Sequence, residues 1–154
     1  MDGYEWDESL ETGDPLVDLQ HRNIHMLVDY VEAAQDRPEL LMHVLERLME
    51  HVDCHFTTEE ALMEKTGYIG TEALEHIAAH RQLTDDSRAV VLSFRSGELT
   101  DMRPVVEFLR GWLSTHVHDR DRRFIEFVRS RGAVAVLPEP WAADPPRCDH
   151  LMAG

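Results

Sequence analysis

Cys54-His55-Phe56-Thr57-Thr58-Glu59-Glu60 decides how the rest of the chain is read. It holds a histidine and a glutamate four residues apart, inside a run that reads as one long helix. On an α-helix, positions i and i+4 differ by about 40° of azimuth and about 6 Å of rise. His55 and Glu59 therefore reach toward one place. They also stand on the apolar face: Leu41, Val44, Leu48, His51 or Val52, His55, Glu59 and Leu62 recur as one stripe. Such pairs are common on solvated helices, so the meaning of this one depends on the segments around it.

Working outward, Asp36-Arg37-Pro38-Glu39 reads as a capping box with Pro in the first turn, opening this helix. It runs to about Lys65, and Gly67 and Gly70 mark its stop and connection. Before it, Asp18 is expected to cap a first helix over 18–35, with His21, Ile24, Val28 and Val31 on the inner face. After it, Thr71 is expected to cap a third helix over 72–95, striped by Ala73, His76, Ile77, His80, Leu83, Val90 and Phe94. Asp101 and Pro104 open a fourth over 102–131. Its stripe includes Val105, Leu109, Trp112, Leu113, His116, Val117, Asp121, Phe124 and Val128, with Gly132 just past its end. No segment alternates as a strand does. Residues 1–17, with Tyr4, Trp6, Leu10, Leu16 and Val17, lack helical periodicity and are expected to pack on the body as an arm. The Pro-rich end carries Trp141 and Cys148 and reads as irregular. The fold class is all-α: an antiparallel up-down-up-down four-helix bundle with an N-terminal arm and an irregular C-terminal tail. The expected division is one domain over 1–132 and a tail over 133–154.

Composition narrows the partners. The length, 154 residues, suits one domain with a sizeable core. Asp and Glu number 30 against 15 Lys and Arg, for a net charge of −15. That argues against a nucleic-acid or anionic-membrane surface, which needs clustered cations. No apolar run approaches the roughly 20 residues of a membrane span. Met1-Asp2-Gly3-Tyr4-Glu5-Trp6 has neither a basic nor an apolar leader region. Two cysteines, Cys54 and Cys148, cannot form a disulfide framework, and a reduced, cytoplasmic setting is the simpler reading. The unusual count is ten histidines.

Seven polar side chains fall on or beside the faces that should be core: His21, His55, Glu59, His76, His80, His116 and Asp121. Burying a carboxylate without a partner costs roughly several kcal/mol. A bundle that gathers such groups in one layer needs something to compensate them together, and bound metal does this. Taken singly, His21 reads equally as a hydrogen-bonded core histidine. His76-Ile77-Ala78-Ala79-His80 puts two imidazoles on one face, but Ile77 stands where a zinc protease has its catalytic Glu. His116 and Asp121 are five apart, about 140° on an ideal helix. A local π-bulge would bring them together, and regular α-helical bonding across 116–121 would exclude it. Jointly, five imidazoles and two carboxylates exceed what one metal uses; two metals sharing the carboxylates can use them all.

With Trp6, Asp18-Leu19-Gln20-His21, His55 to Glu60, His76 to His80 and Trp112-Leu113-Ser114-Thr115-His116 followed by Asp121, residues 4–131 resemble the single-domain bacteriohemerythrins of the hemerythrin family. The resemblance implies two iron ions with an oxo or hydroxo bridge. His76, His80 and His116 would hold one iron, His21 and His55 the other, and Glu59 and Asp121 would bridge them. One open position would take dioxygen, under apolar walls that include Ile24, Phe56, Trp112, Leu113 and Val117. The implied function is reversible dioxygen binding, as a carrier, store or local supply, and not an enzyme. The chain has no ExxH motif of the kind that ferritin-like di-iron enzymes carry. Two other readings remain: an oxygen or redox sensor acting through a protein partner that the sequence does not name, and an enzyme handling peroxide or nitric oxide. His25, His43, His51 and His150 are not expected as ligands. His118 is expected to face solvent, Glu60 to be exposed, and Cys54 to be a helix-packing thiol.

Overall fold

Pro15 fixes where the first helix begins. In the computed structural model, which describes residues 6–136, α1 is Pro15–Ala33 and Asp14 is its N-cap. Proline at the first helical position brings a preset φ and no N–H to satisfy. The Asp14 carboxylate accepts from the Leu16 and Val17 amides, 3.0 Å each. Asp18 is therefore not the cap expected from the sequence. It sits inside the first turn, and its carboxylate reaches back to the Thr12 amide and hydroxyl and the Gly13 amide. Gly13, at φ 98°, supplies the left-handed turn that points those groups at it.

The remaining elements are α2 (Pro38–Thr66), α3 (Thr71–Arg95), α4 (Arg103–His116), a π-helical turn (Val117–Asp121) and α5 (Arg122–Ser130). α4, the π turn and α5 run on as one rod, so the described residues form four long helical segments and no strand. α1 packs on α2 and α4, and α2 packs on α3. The antiparallel four-helix bundle is thus as expected. Three predicted caps differ in detail. The residue before α2 is Arg37, which makes no side-chain cap bond, so Pro38 alone presets that start and the capping box does not form. Thr71 is the first residue of α3, behind Gly70. Asp101 stands two residues before α4, ahead of the cap residue Met102, yet its carboxylate still accepts from the Arg103 amide at 3.0 Å. Gly67 ends α2 in the left-handed conformation, and Gly132, also at positive φ, follows the end of α5.

The core is divided. One apolar cluster includes Ile24, Val28, Leu48, Val52, Phe56, Leu83, Leu109 and Leu113. A second joins Val17, Leu62, Met63, Phe124, Ile125, Val128 and Ala135. Each helix passes from one cluster to the other through a polar step: His21 on α1, His55 and Glu59 on α2, His76 and His80 on α3, His116 and Asp121 at the ends of the π turn. Ala135 is tied down further by its amide, which donates to Asp14 Oδ2 at 2.7 Å.

The arm docks, as expected, over its described part. A single 3-10 turn, Glu8–Leu10, lies within it, capped by Asp7. The Trp6 and His25 rings stand nearly perpendicular with centroids 5.5 Å apart, and Arg22 lies over the Trp6 ring. His118 and Arg122 both reach Ser9. Cys54 is buried within α2. Tyr4, Trp141, Cys148 and His150, with the tail beyond Val136, lie outside the described residues. No described helix is long and apolar enough to cross a membrane.

Asp14 holds two first-turn amides and the Ala135 amide, so Asp14→Ala is expected to lower unfolding stability by about 2 kcal/mol. Asp36→Ala, removing an exposed side chain that caps nothing, is expected to stay within about 0.5 kcal/mol. Urea denaturation of the two variants beside the parent chain measures both.

Candidate metal centre

Each helix brings its polar groups inward for a local reason. His55 and Glu59, and His76 and His80, are one turn apart and share a face. His116 and Asp121 share a face because the backbone between them is under-wound: the Arg122 N–H bonds the Val117 carbonyl, five residues back. That extra residue turns a separation of about 140° into about 40°. The bulge inferred from the i,i+5 spacing is present at that position.

The seven side chains meet in one buried layer. Glu59 is fully buried, and His21, His55, His76, His80 and Asp121 are each 1–2% exposed. Their donor atoms sort into two groups. His76, His80, His116 and Asp121 have ligand atoms within 4.8 Å of one another, and so do His21, His55, Glu59 and Asp121. The carboxylates divide their oxygens between the groups. Asp121 Oδ2 lies 2.9 Å from His21 Nε2, whereas Oδ1 lies 2.9 Å from His76 Nε2 and 3.0 Å from His116 Nε2. Glu59 Oε1 is in close contact with His55 Nε2, and Oε2 lies 3.2 Å from His76 Nε2. Glu59 stands inside only one of the two tight groups but spans toward both, as Asp121 does.

The polar atoms are not satisfied by one another. Both oxygens of Glu59 and of Asp121, and both ring nitrogens of His80, are buried without a hydrogen-bond partner. The short contacts bring imidazole nitrogens beside the oxygens without aligning an N–H on them. Imidazole nitrogens also crowd each other, with Nε2 to Nε2 distances of 3.1 Å for His21–His55 and for His76–His116. Unpaired lone pairs aimed at one place, in a site closed to water, are a donor set for cations. The charge balance agrees. Burial opposes charge on His55, but Glu59 beside it, with Asp121, outweighs burial and raises its pKa to about 10. His76 is raised to about 9, again against burial, by the same two carboxylates. Burial likewise opposes ionisation of Glu59 and Asp121, yet the imidazoles hold both below their ordinary values. Burial instead lowers the pKa of His80, so positive charge is favoured at His55 and His76, beside the two carboxylates, where metal ions would take the place of those protons.

The expected pocket residues adjoin this layer. Ile24, Phe56, Leu113 and Val117 are buried, and Trp112 is half-buried. Phe56 stacks flat on His80, ring centroids 3.8 Å apart, and Trp112 stacks on His116 at 4.4 Å. His118 points away, exposed, toward Ser9. His51 is buried in α2, where desolvation lowers its pKa to about 4, but it joins neither group of donors. Two neighbours went unassigned in the sequence. Gln20, beside His21 and 2% exposed, has its carbonyl 2.9 Å from His55 Nδ1. Glu60, expected to be exposed, is half-buried with its carboxylate 3.5 Å from His80 Nδ1. The available signal for Gln20 was a polar residue next to a candidate ligand at the inner edge of α1.

Known proteins with the same pattern place the chain. The family model described as "Hemerythrin HHE cation binding domain" matches residues 12–128. A bacteriohemerythrin of Pseudomonas aeruginosa (strain LESB58) is 29% identical over 130 residues, covering 80% of each chain. One of Methylococcus capsulatus is 29% identical over 109 residues, 70% of this chain and 82% of the other. A crystal structure of wild-type hemerythrin superposes with a TM-score of 0.74 at 26% identity, covering 81% of this chain and 97% of that one. Bundle, buried donor layer and matched residues together establish that this chain belongs to the hemerythrin family.

Proposed function

We propose that the chain binds dioxygen reversibly at a pair of iron ions, as a carrier, store or local supplier of oxygen. The observation that carries this reading is the division of the Glu59 and Asp121 oxygens between two groups of imidazoles. Carboxylates so placed fit bridges between two cations. His76, His80 and His116 would hold one ion, and His21 and His55 the other. An iron pair with an oxo or hydroxo bridge would supply two electrons to dioxygen and recover them on release. With three imidazoles on one side and two on the other, the side of His21 and His55 would leave room for a further ligand.

The surrounding residues favour binding over turnover. Ile24, Phe56, Leu113 and Val117 are buried, and with the half-buried Trp112 they would wall the site without a titratable side chain. Such walls slow loss of a charged oxygen species and offer no general acid for cleaving the O–O bond. Stacking of Phe56 on His80 and of Trp112 on His116 holds those two rings in place.

The test is to purify the chain with iron, count metal, reduce it without air, add oxygen and then purge. Two irons per chain and a charge-transfer band that appears with oxygen and vanishes on purging are expected. Steady turnover of peroxide or nitric oxide would make it an enzyme instead, and one iron or fewer would refute the assignment. His55→Ala should remove the oxygen-dependent band while sparing the iron held by three imidazoles. Glu59→Ala should lose both irons, read by metal analysis. Chelating the metal should lower unfolding stability by about 4 kcal/mol where free metal had exceeded its dissociation constant a thousandfold. Because His118 faces Ser9 and not the pocket, His118→Leu should autoxidise at the parent rate.

A further inference from the structure

Behind His55 lies a chain of hydrogen bonds whose direction can be worked out from one backbone carbonyl. The Thr58 hydroxyl donates to the Cys54 carbonyl at 2.9 Å. A carbonyl only accepts, so the single hydroxyl proton is committed there. Thr58 Oγ1 is left as an acceptor, and the Gln20 amide nitrogen donates to it at 3.0 Å. This fixes the amide: its NH2 faces Thr58, and its carbonyl faces His55. The Gln20 carbonyl also only accepts, so His55 Nδ1, 2.9 Å away, must carry the proton. With a metal ion in place of the proton that Glu59 and Asp121 favour on this ring, the opposite nitrogen, Nε2, would present its lone pair toward Glu59, Asp121 and His21. A flipped amide would set its oxygen against the committed oxygen of Thr58. Water cannot relieve that clash, because Gln20 and Thr58 are both buried, at 2% and 0% exposure.

We propose that Gln20 and Thr58 are positioning residues that lock the ring orientation and tautomer of His55, and so set the affinity of the metal ion that His21 and His55 hold. The inference rests on the di-iron reading for what Nε2 faces. The other half of the layer is built differently. There His80 Nδ1 faces the half-buried Glu60 carboxylate at 3.5 Å, outside hydrogen-bond alignment. A rigid neutral amide backs the two-imidazole side, and a partly hydrated carboxylate backs the three-imidazole side. Outer partners of ligand histidines typically change metal affinity by about 10–100-fold when removed, so the two ions should respond separately.

Two measurements test this. The first is anaerobic titration with ferrous iron of the parent chain, Gln20→Leu, Thr58→Val and Thr58→Ser. The second is proton NMR of the His55 Nδ1–H in the same chains loaded with zinc, which is diamagnetic. The parent should take two ferrous ions and show a downfield, slowly exchanging Nδ1 proton. Gln20→Leu should weaken one ion by about 10–100-fold and leave the other unchanged. Its Nδ1 proton should move upfield and exchange faster. Thr58→Val should produce a smaller change of the same kind, with no further loss when combined with Gln20→Leu. Thr58→Ser, which keeps the hydroxyl, should match the parent. A folded Gln20→Leu chain with both affinities and the Nδ1 proton unchanged overturns the proposal. If Gln20→Leu does not fold, an unaltered Nδ1 proton in Thr58→Val does the same. A parent chain that takes up only one ferrous ion overturns the di-iron reading itself, and this inference with it.

Discussion

Two carboxylates buried at the middle of a helical bundle set the terms for everything else in this chain. Removing Glu59 and Asp121 from water carries a penalty of roughly several kcal/mol each. Apolar clusters lie on both sides of them, so no solvent reaches in to share the charge. Five imidazoles are drawn to the same layer, and still the carboxylate oxygens find no aligned donor. The layer makes physical sense as a place for cations, and the helices are arranged around that requirement. The fourth rod departs from α geometry at the one place where regular winding would separate His116 from Asp121.

The layer also explains the division of labour among the apolar residues. Phe56 and Trp112 belong to the packing of the bundle, yet each covers the face of an imidazole. Bundle packing and the cover over His80 and His116 are the same side chains seen from two sides. A bundle that must exclude water for stability excludes it from the donor layer without further provision. The arm adds a second cover: Trp6 lies against His25, and Ser9 is held by His118 and Arg122 beside the π turn. His118, next to the pocket in sequence, is thereby directed outward as a fastener for the arm.

Much of the fold and the donor set was legible because both depend on local spacing. Pairs at i,i+4 share a face on any helix, so His55 with Glu59 and His76 with His80 could be read without knowing what the helices touch. The i,i+5 pair required a departure from ideal winding, and its position was legible because only a bulge reconciles that spacing with one shared face. Helix starts were read less well. Asp14 and Asp18 both precede apolar periodicity, and Pro15 with the left-handed Gly13 decides between them. Asp36 and Glu39 had the residue types of a capping box without its bonds.

By itself, the sequence determined the helical class, the order of the four rods and the seven side chains that turn inward, because side-chain periodicity follows from backbone geometry alone. Tertiary structure decided what stands behind those side chains. Gln20 meets His55 from a different helix, and Glu60 turns toward His80 across α2 and α3. Such meetings depend on the axial offset and rotation of one helix against another. Those are set by how whole apolar faces interlock, and no local spacing records them. The His55–Glu59 pair was visible in one stretch of chain; the division of the Glu59 and Asp121 oxygens between two sets of nitrogens exists only once the four rods are packed together.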